Sequence, residues 1–247
     1  MTARTIIGFI VIPLLVGGMF VVARQVIIIG QSVKRGNYHQ KPYQRTLAHP
    51  ELRFLFLGDS TAVGTGAKTS QGSTAGYFAS DFPEAQIVNR GRNGKRLHEL
   101  VGELDQMPTD HYDLVVLQIG ANDIVHLTPY HEIENELGKL LASVKAVGNH
   151  IVILHCGNMG AAPILRWPFT WIMTQRSRDV RQIYIRQARQ HGAVYVDLFT
   201  ERKDDLFLTN VPNYYSPDYF HPNENGYRYW YQQIRKSLDQ AMVRLRN

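Results

Sequence analysis

Five short apolar runs rich in β-branched residues, bounded by Gly, Asn or Asp, recur along the chain at 52–57, 86–88, 114–119, 151–156 and 193–198. Short strands of continuous apolar character belong to a parallel sheet, because helices must cover both of its faces. Helix-compatible stretches lie between and after them, at 75–80, 97–106, 132–147, 178–191 and 224–246. This alternation predicts a three-layer α/β/α fold around a doubly wound parallel sheet. In such sheets ligands bind beyond the carboxyl ends of the strands, where the strand order reverses. Polar motifs at strand ends are therefore the places to look for chemistry.

Four such motifs occur in chain order. Gly58-Asp59-Ser60 closes the first run, with Gly64 four residues on, and puts a serine where a strand turns into a helix. Asn89-Arg90-Gly91 follows the second run, and Gly120-Ala121-Asn122-Asp123 follows the third. Asp218-Tyr219-Phe220-His221-Pro222 precedes the last helix, where Pro222 suits a first turn. An Asp three residues before a His can sit on the same side of one turn. Its carboxylate then accepts one imidazole N–H and leaves the other ring nitrogen for Ser60. A nucleophile, a base and an orienting carboxylate point to acyl transfer, while Asn122 offers a neutral amide donor and the Gly91 N–H can approach a ligand closely. Singly, each motif also reads as a helix cap or a turn.

Competing motifs fail on particular residues. Gly64-Thr65-Gly66-Ala67-Lys68-Thr69 lacks the Gly before Lys of a phosphate loop and the third Gly of a dinucleotide fingerprint. Ala62 stands where a nucleophile elbow has its second Gly. His131-Glu132 has Asn135, not a second His, four residues on, and no other His/Cys spacing suggests a metal.

The set as a whole resembles the SGNH hydrolase superfamily, the GDSL-type esterases and lipases, over about residues 52–231. The four block residues correspond to Ser60, Gly91, Asn122 and His221, with Asp218 as the triad acid. Thr61 replaces the Leu of the GDSL signature, a departure that bears on substrate preference. The resemblance implies a flavodoxin-like SGNH fold and a cofactor-free serine hydrolase acting on carboxylic esters through an acyl-enzyme. Ser60, Asp218 and His221 would be catalytic, and the oxyanion hole would comprise Ser60, Gly91 and Asn122. Lipid or acyl esters, as in lysophospholipases, are the expected substrates. The alternatives are an O-acetyl esterase acting on glycans and a non-catalytic, membrane-tethered binding module of the same fold.

The rest of the chain bears on surroundings. Residues 6–23 carry no charged side chain, which suits a transmembrane anchor or a signal segment with Val21-Val22-Ala23 as its cleavage site. The expected organisation is a segment at 1–30, a linker at 31–50 and a hydrolase domain at 51–247. The protein is expected at a membrane through this one segment. Cleavage would export the domain, the side favoured here, whereas the basic flank of Arg24, Lys34 and Arg35 argues for the cytoplasmic side. The net charge of +6 comes with no nucleic-acid-binding motif, so nucleic acid is not an expected partner. Arginines at 176, 178, 181, 186 and 189 read as a solvated helix face. Cys156, the single cysteine, excludes an internal disulfide and reads as a small core residue. Finally, 161–173 is expected to be a loop, and its rings Trp167, Phe169 and Trp171 are candidate substrate contacts, with core packing and a membrane-dipping lid as the alternatives.

Overall fold

The computed structural model describes residues 40–104 and 110–246, together with 17–21, 23–25, 27, 28, 31, 32 and 35, with side chains described as far as 239. The chain runs β1 (Leu52–Gly58), α1 (Ser60–Val63), α2 (Thr74–Asp81), β2 (Ala85–Asn89), α3 (Leu97–Leu104), β3 (Tyr112–Gln118) and α4 (Ala121–Val125). It continues through α5 (Tyr130–Lys145), β4 (Gly148–Leu154), α6 (Phe169–His191), β5 (Val194–Tyr195), α7 (Leu206–Thr209), α8 (Val211–Tyr214) and α9 (Glu224–Arg246).

All five strands are parallel, in the order β2-β1-β3-β4-β5. Successive residues of a strand face opposite sides, and both sides are buried here. Leu55, Leu57, Val115, Leu117, Ile151 and Ile153 pack with α3, α5 and α6. Phe54, Phe56, Leu114, Val116, Val152 and Leu154 pack with α2 and α9. The order reverses between β1 and β3, so the residues after these two strands flank the crevice.

Two expectations are corrected. The fifth strand pairs only over Val194 and Tyr195, instead of 193–198. The Asp197 carboxylate accepts the Phe199 N–H (3.2 Å) and turns the chain away from the sheet. Helix α6 begins at Phe169 instead of 178, with Pro168 at its N-cap, so the second half of the expected 161–173 loop is helical. Its arginines stand at the solvated surface as expected, and four of them are engaged there. Arg178 pairs with Glu201, Arg181 with Asp197 and Arg186 with Glu134, while the Arg176 guanidinium donates to the carbonyls of Ile124 and Thr128.

Part of the expected linker is built into the domain. Arg45 makes an antiparallel bridge to Ile87 on the edge strand β2, and its guanidinium donates to the carbonyls of Ala79, Phe82 and Ala85. That covers backbone groups a sheet edge would otherwise expose. Most of the apolar segment, 1–16, lies outside the described residues. Among the described residues no helix is long and apolar enough to cross a membrane.

Candidate active site

The first motif is shaped by close contacts. Gly58 ends β1 at φ +149°, and a Cβ there would lie 1.8 Å from the Gln118 carbonyl oxygen of β3. Only glycine lets the two strand ends pass. Asp59 then caps α1, its Oδ1 accepting the Thr61 N–H (2.9 Å) and Thr61 hydroxyl (2.8 Å). Ser60 is thus the first helical residue, with a backbone N–H that has no partner within the helix. After the left-handed C-cap Gly64, Gly66 packs so tightly on the far loop that a Cβ would lie 2.4 Å from the Pro222 carbonyl and 2.8 Å from the His221 Cβ.

The far loop is organised around the Asp218 carboxylate. Oδ1 accepts from the Ser216 hydroxyl (2.6 Å) and from the N–H groups of Phe220 (2.8 Å) and His221 (2.9 Å). Oδ2 lies 2.7 Å from His221 Nδ1, and His221 Nε2 lies 3.0 Å from Ser60 Oγ. With its Nδ1 proton held by Asp218, the imidazole turns the Nε2 lone pair toward the Ser60 hydroxyl. All three side chains are buried.

Two buried carboxylates therefore flank this chain, with opposite electrostatics. Burial acts to raise Asp218, but the bond and charge of His221 and the Ser216 hydroxyl outweigh it and lower the acid to about 2. Burial dominates at Asp59, whose Oδ2 finds no hydrogen-bond partner among the described residues, and pushes it up to about 6 despite the bonds from Thr61. Burial also raises the Cys156 thiol far above its ordinary value, so it is no thiolate nucleophile.

The second and third motifs meet beside Ser60. The Asn122 amide donates one N–H to the Lys95 carbonyl (3.0 Å), which leaves its geminal N–H for a ligand. Asp123 accepts the Leu97 N–H (3.0 Å) and stitches the two loops together. Gly91 lies against α1, where a Cβ would fall 2.8 Å from the Val63 nitrogen. Its N–H, expected to face an oxyanion, donates instead to Asn89 Oδ1 (2.9 Å). Asn89 in turn donates to the Ala62 carbonyl (2.8 Å). Tyr184 supports the turn from beneath: its hydroxyl donates to the Ile119 carbonyl (2.9 Å), and a Cβ on Gly120 would lie 2.3 Å from that hydroxyl oxygen.

A cavity of about 140 Å³ opens at Ser60 and His221. Its apolar walls include Met159, Ala162, Leu198, Phe207, Phe220 and Trp230, and its polar wall includes Asn158, Thr200 and Asp205. Trp167, Phe169 and Trp171 are not among its lining residues. The turn into α6 points both tryptophans outward, leaving Trp167 77% and Trp171 61% exposed, so neither the pocket nor the core reading of these two holds. The walls come from strand ends, α7 and α9. Phe220, next to His221, was within reach of sequence reasoning; Met159, Leu198 and Phe207 carry no local signal. Among the described residues no group of three or more His, Cys, Asp or Glu is placed to hold a metal ion.

A parallel α/β/α sheet with Ser60, His221 and Asp218 joined in one hydrogen-bonded chain past its strand ends defines the molecule as a hydrolase of the SGNH type. Residues 56–229 match the GDSL-like Lipase/Acylhydrolase family, and the chain belongs to it, as an SGNH esterase. A lipolytic protein of the G-D-S-L family from Veillonella parvula has a similar structure at 17% identity, covering 74% of this chain and 96% of its own with a TM-score of 0.60. A variant of Axe2, an acetyl xylan esterase from Geobacillus stearothermophilus, is similar at 20% identity, 76% and 94% coverage and a TM-score of 0.56. TesA is similar at 15% identity, 76% and 99% coverage and a TM-score of 0.60. At these identities the likeness is one of fold. No curated protein is a significant match to the sequence.

Proposed function

We propose that the protein cleaves carboxylic esters of lipid or other acyl groups, with Ser60, His221 and Asp218 as its catalytic residues. The observation that carries this reading is the unbroken buried chain from Ser60 Oγ to His221 Nε2 (3.0 Å) and from His221 Nδ1 to Asp218 Oδ2 (2.7 Å). Ser60 Oγ attacks the ester carbonyl while His221 Nε2 takes its proton. Asp218 holds the ring and stabilises the imidazolium. The Ser60 N–H and the second N–H of Asn122 stabilise the oxyanion; Gly91 joins them once its N–H turns from Asn89 to the ligand. Collapse of the tetrahedral intermediate breaks the bond to the alcohol oxygen, which receives the proton from His221. Water, deprotonated by His221, then attacks the acyl-enzyme and releases the acid.

The apolar wall of Met159, Leu198, Phe207 and Phe220 fits an acyl chain. A second reading, deacetylation of a glycan, is favoured by the polar wall of Asn158, Thr200 and Asp205 and by the fold shared with an acetyl xylan esterase. The catalytic unit is residues 51–247 with 40–50 packed on its edge, and the apolar stretch 6–23 tethers it to a membrane.

Ser60→Ala is expected to lower ester turnover by a factor on the order of 10⁶ at an unchanged melting temperature. A mutant that keeps a tenth of the wild-type rate overturns the assignment. Rates across esters of increasing chain length and acetylated sugars separate the two substrate readings.

A further inference from the structure

The described helical residues between 17 and 32 have two unlike faces. Gln25, Ile28 and Ser32 follow a helical spacing of three and four, and this face is docked. Gln25 is buried, and its amide both donates to the Ile164 carbonyl (3.1 Å) and accepts the Arg166 N–H (3.1 Å). Ile28 packs on the core, and the Ser32 hydroxyl donates to the Asp218 carbonyl. The opposite face carries Met19, Phe20 and Ile27, which are 71%, 68% and 60% exposed.

Trp167 follows directly on Arg166, and Trp171 comes four residues later. These five side chains are half of the ten large apolar side chains exposed among the described residues. Exposed apolar groups scattered singly need no explanation, but five of them within six residues along the chain of the bonded Gln25 and Arg166 do. Arg24 and Arg166 are exposed beside them. The sequence that leads into this helix, 6–16, has no charged residue.

We propose that this face, formed by the N-terminal helix and the start of α6, lies in the interfacial layer of a bilayer containing anionic lipid. It rests on the tether reading above and adds which surface of the domain meets the lipid. Tryptophan pairs an apolar body with a polar N–H that suits the headgroup level, and arginine draws anionic headgroups. An amphipathic helix with its apolar side outward lies in that plane. The incoming apolar segment needs the same environment, which selects lipid over a second protein. The face is also close to the chemistry, because the Ile164 N–H donates to the carbonyl of Tyr219 (3.1 Å), between Asp218 and His221. Docking therefore presents the reacting loop beside the surface from which a lipid ester arrives.

The three tryptophans make the face directly readable, since Trp230 is buried in the core. The full chain is mixed with phosphatidylcholine–phosphatidylglycerol vesicles whose acyl chains are brominated, and tryptophan emission is compared with that in unbrominated vesicles. We expect emission of the wild type to fall by about half, and emission of the W167F/W171F double variant, which retains Trp230, to stay unchanged. Both proteins should hydrolyse a soluble short-chain ester at the same rate. A chain that sediments with vesicles but whose tryptophans are not quenched keeps the tether and overturns the face. A chain that fails to sediment overturns both. Concentration-dependent self-association that shields the tryptophans without lipid overturns the proposal in favour of a second copy. Loss of the ester reading would leave the quenching result untouched, because no catalytic step enters it.

Discussion

The turn after β1 and the loop before α9 each bury an aspartate within reach of the same histidine, and the two carboxylates behave oppositely. Asp218 gathers four donors, from Ser216, Phe220 and both the backbone and ring of His221, and stays ionised. Asp59 receives two bonds on one oxygen, both from Thr61, and its other oxygen has none among the described residues. Desolvation carries Asp59 to about 6, whereas the hydrogen bond and charge of His221 and the Ser216 hydroxyl hold Asp218 at about 2. Burial alone therefore says little about a carboxylate's role. The donors around it set how far down in pH it keeps its charge.

The largest test of the contrast is a matched pair of isosteric changes. Asp218→Asn removes the charge that stabilises the imidazolium and should lower kcat by about 10⁴. Asp59→Asn keeps the acceptor oxygen for Thr61 and should lower it less than about tenfold, since both bonds from Thr61 survive the change. Equal losses in steady-state assays would break the comparison. Next in size, Asn122→Ala should lower kcat by roughly 10² to 10³ with KM nearly unchanged, because its donor acts once the oxyanion forms. A loss confined to KM would assign Asn122 to substrate binding.

The stability consequences have opposite signs. The folded-state value of Asp59 is raised, so folding is penalised as pH climbs from its ordinary 3.8 through about 6. Asp59→Asn should then stabilise the protein by up to roughly 3 kcal/mol above pH 6, with no gain below pH 4. The value of Asp218 is lowered, so its contribution is complete above 3.8 and fades as pH falls toward 2. Melting temperatures of wild type and Asp59→Asn across pH 3–8 check both signs. Smallest of all, Trp167→Ser with Trp171→Ser should change unfolding free energy by within about 0.5 kcal/mol per site, because both rings are exposed. A loss of several kcal/mol on denaturant unfolding would return them to the core.

Much of this was legible residue by residue. Buried strands announced themselves as β-branched runs closed by glycine or asparagine, and Ser60, Asn122 and His221 stood just past such runs or at a helix start. Other features were illegible for physical reasons. The start of α6 was hidden by Pro163, Pro168 and the aromatic residues around them, which look like a loop until Pro168 is seen as an N-cap. The brevity of β5 depends on Asp197 turning the backbone, which an apolar pattern does not encode. The engagement of the Gly91 N–H with Asn89 depends on how one amide side chain is oriented.

The parallel α/β layering and the order of the reacting groups follow from residue type and spacing, because strand burial and turn geometry are local. Tertiary structure decided what those groups face. The separation of Asp59 from Asp218 arises from donors supplied by neighbouring loops. The cavity walls join Met159, Leu198, Phe207 and Trp230 from four separate stretches. Trp167 and Trp171 turn outward because the docked α6 and N-terminal helix leave them no interior to fill. Electrostatics and cavity shape depend on distances between residues remote in sequence, and only the folded chain sets those distances.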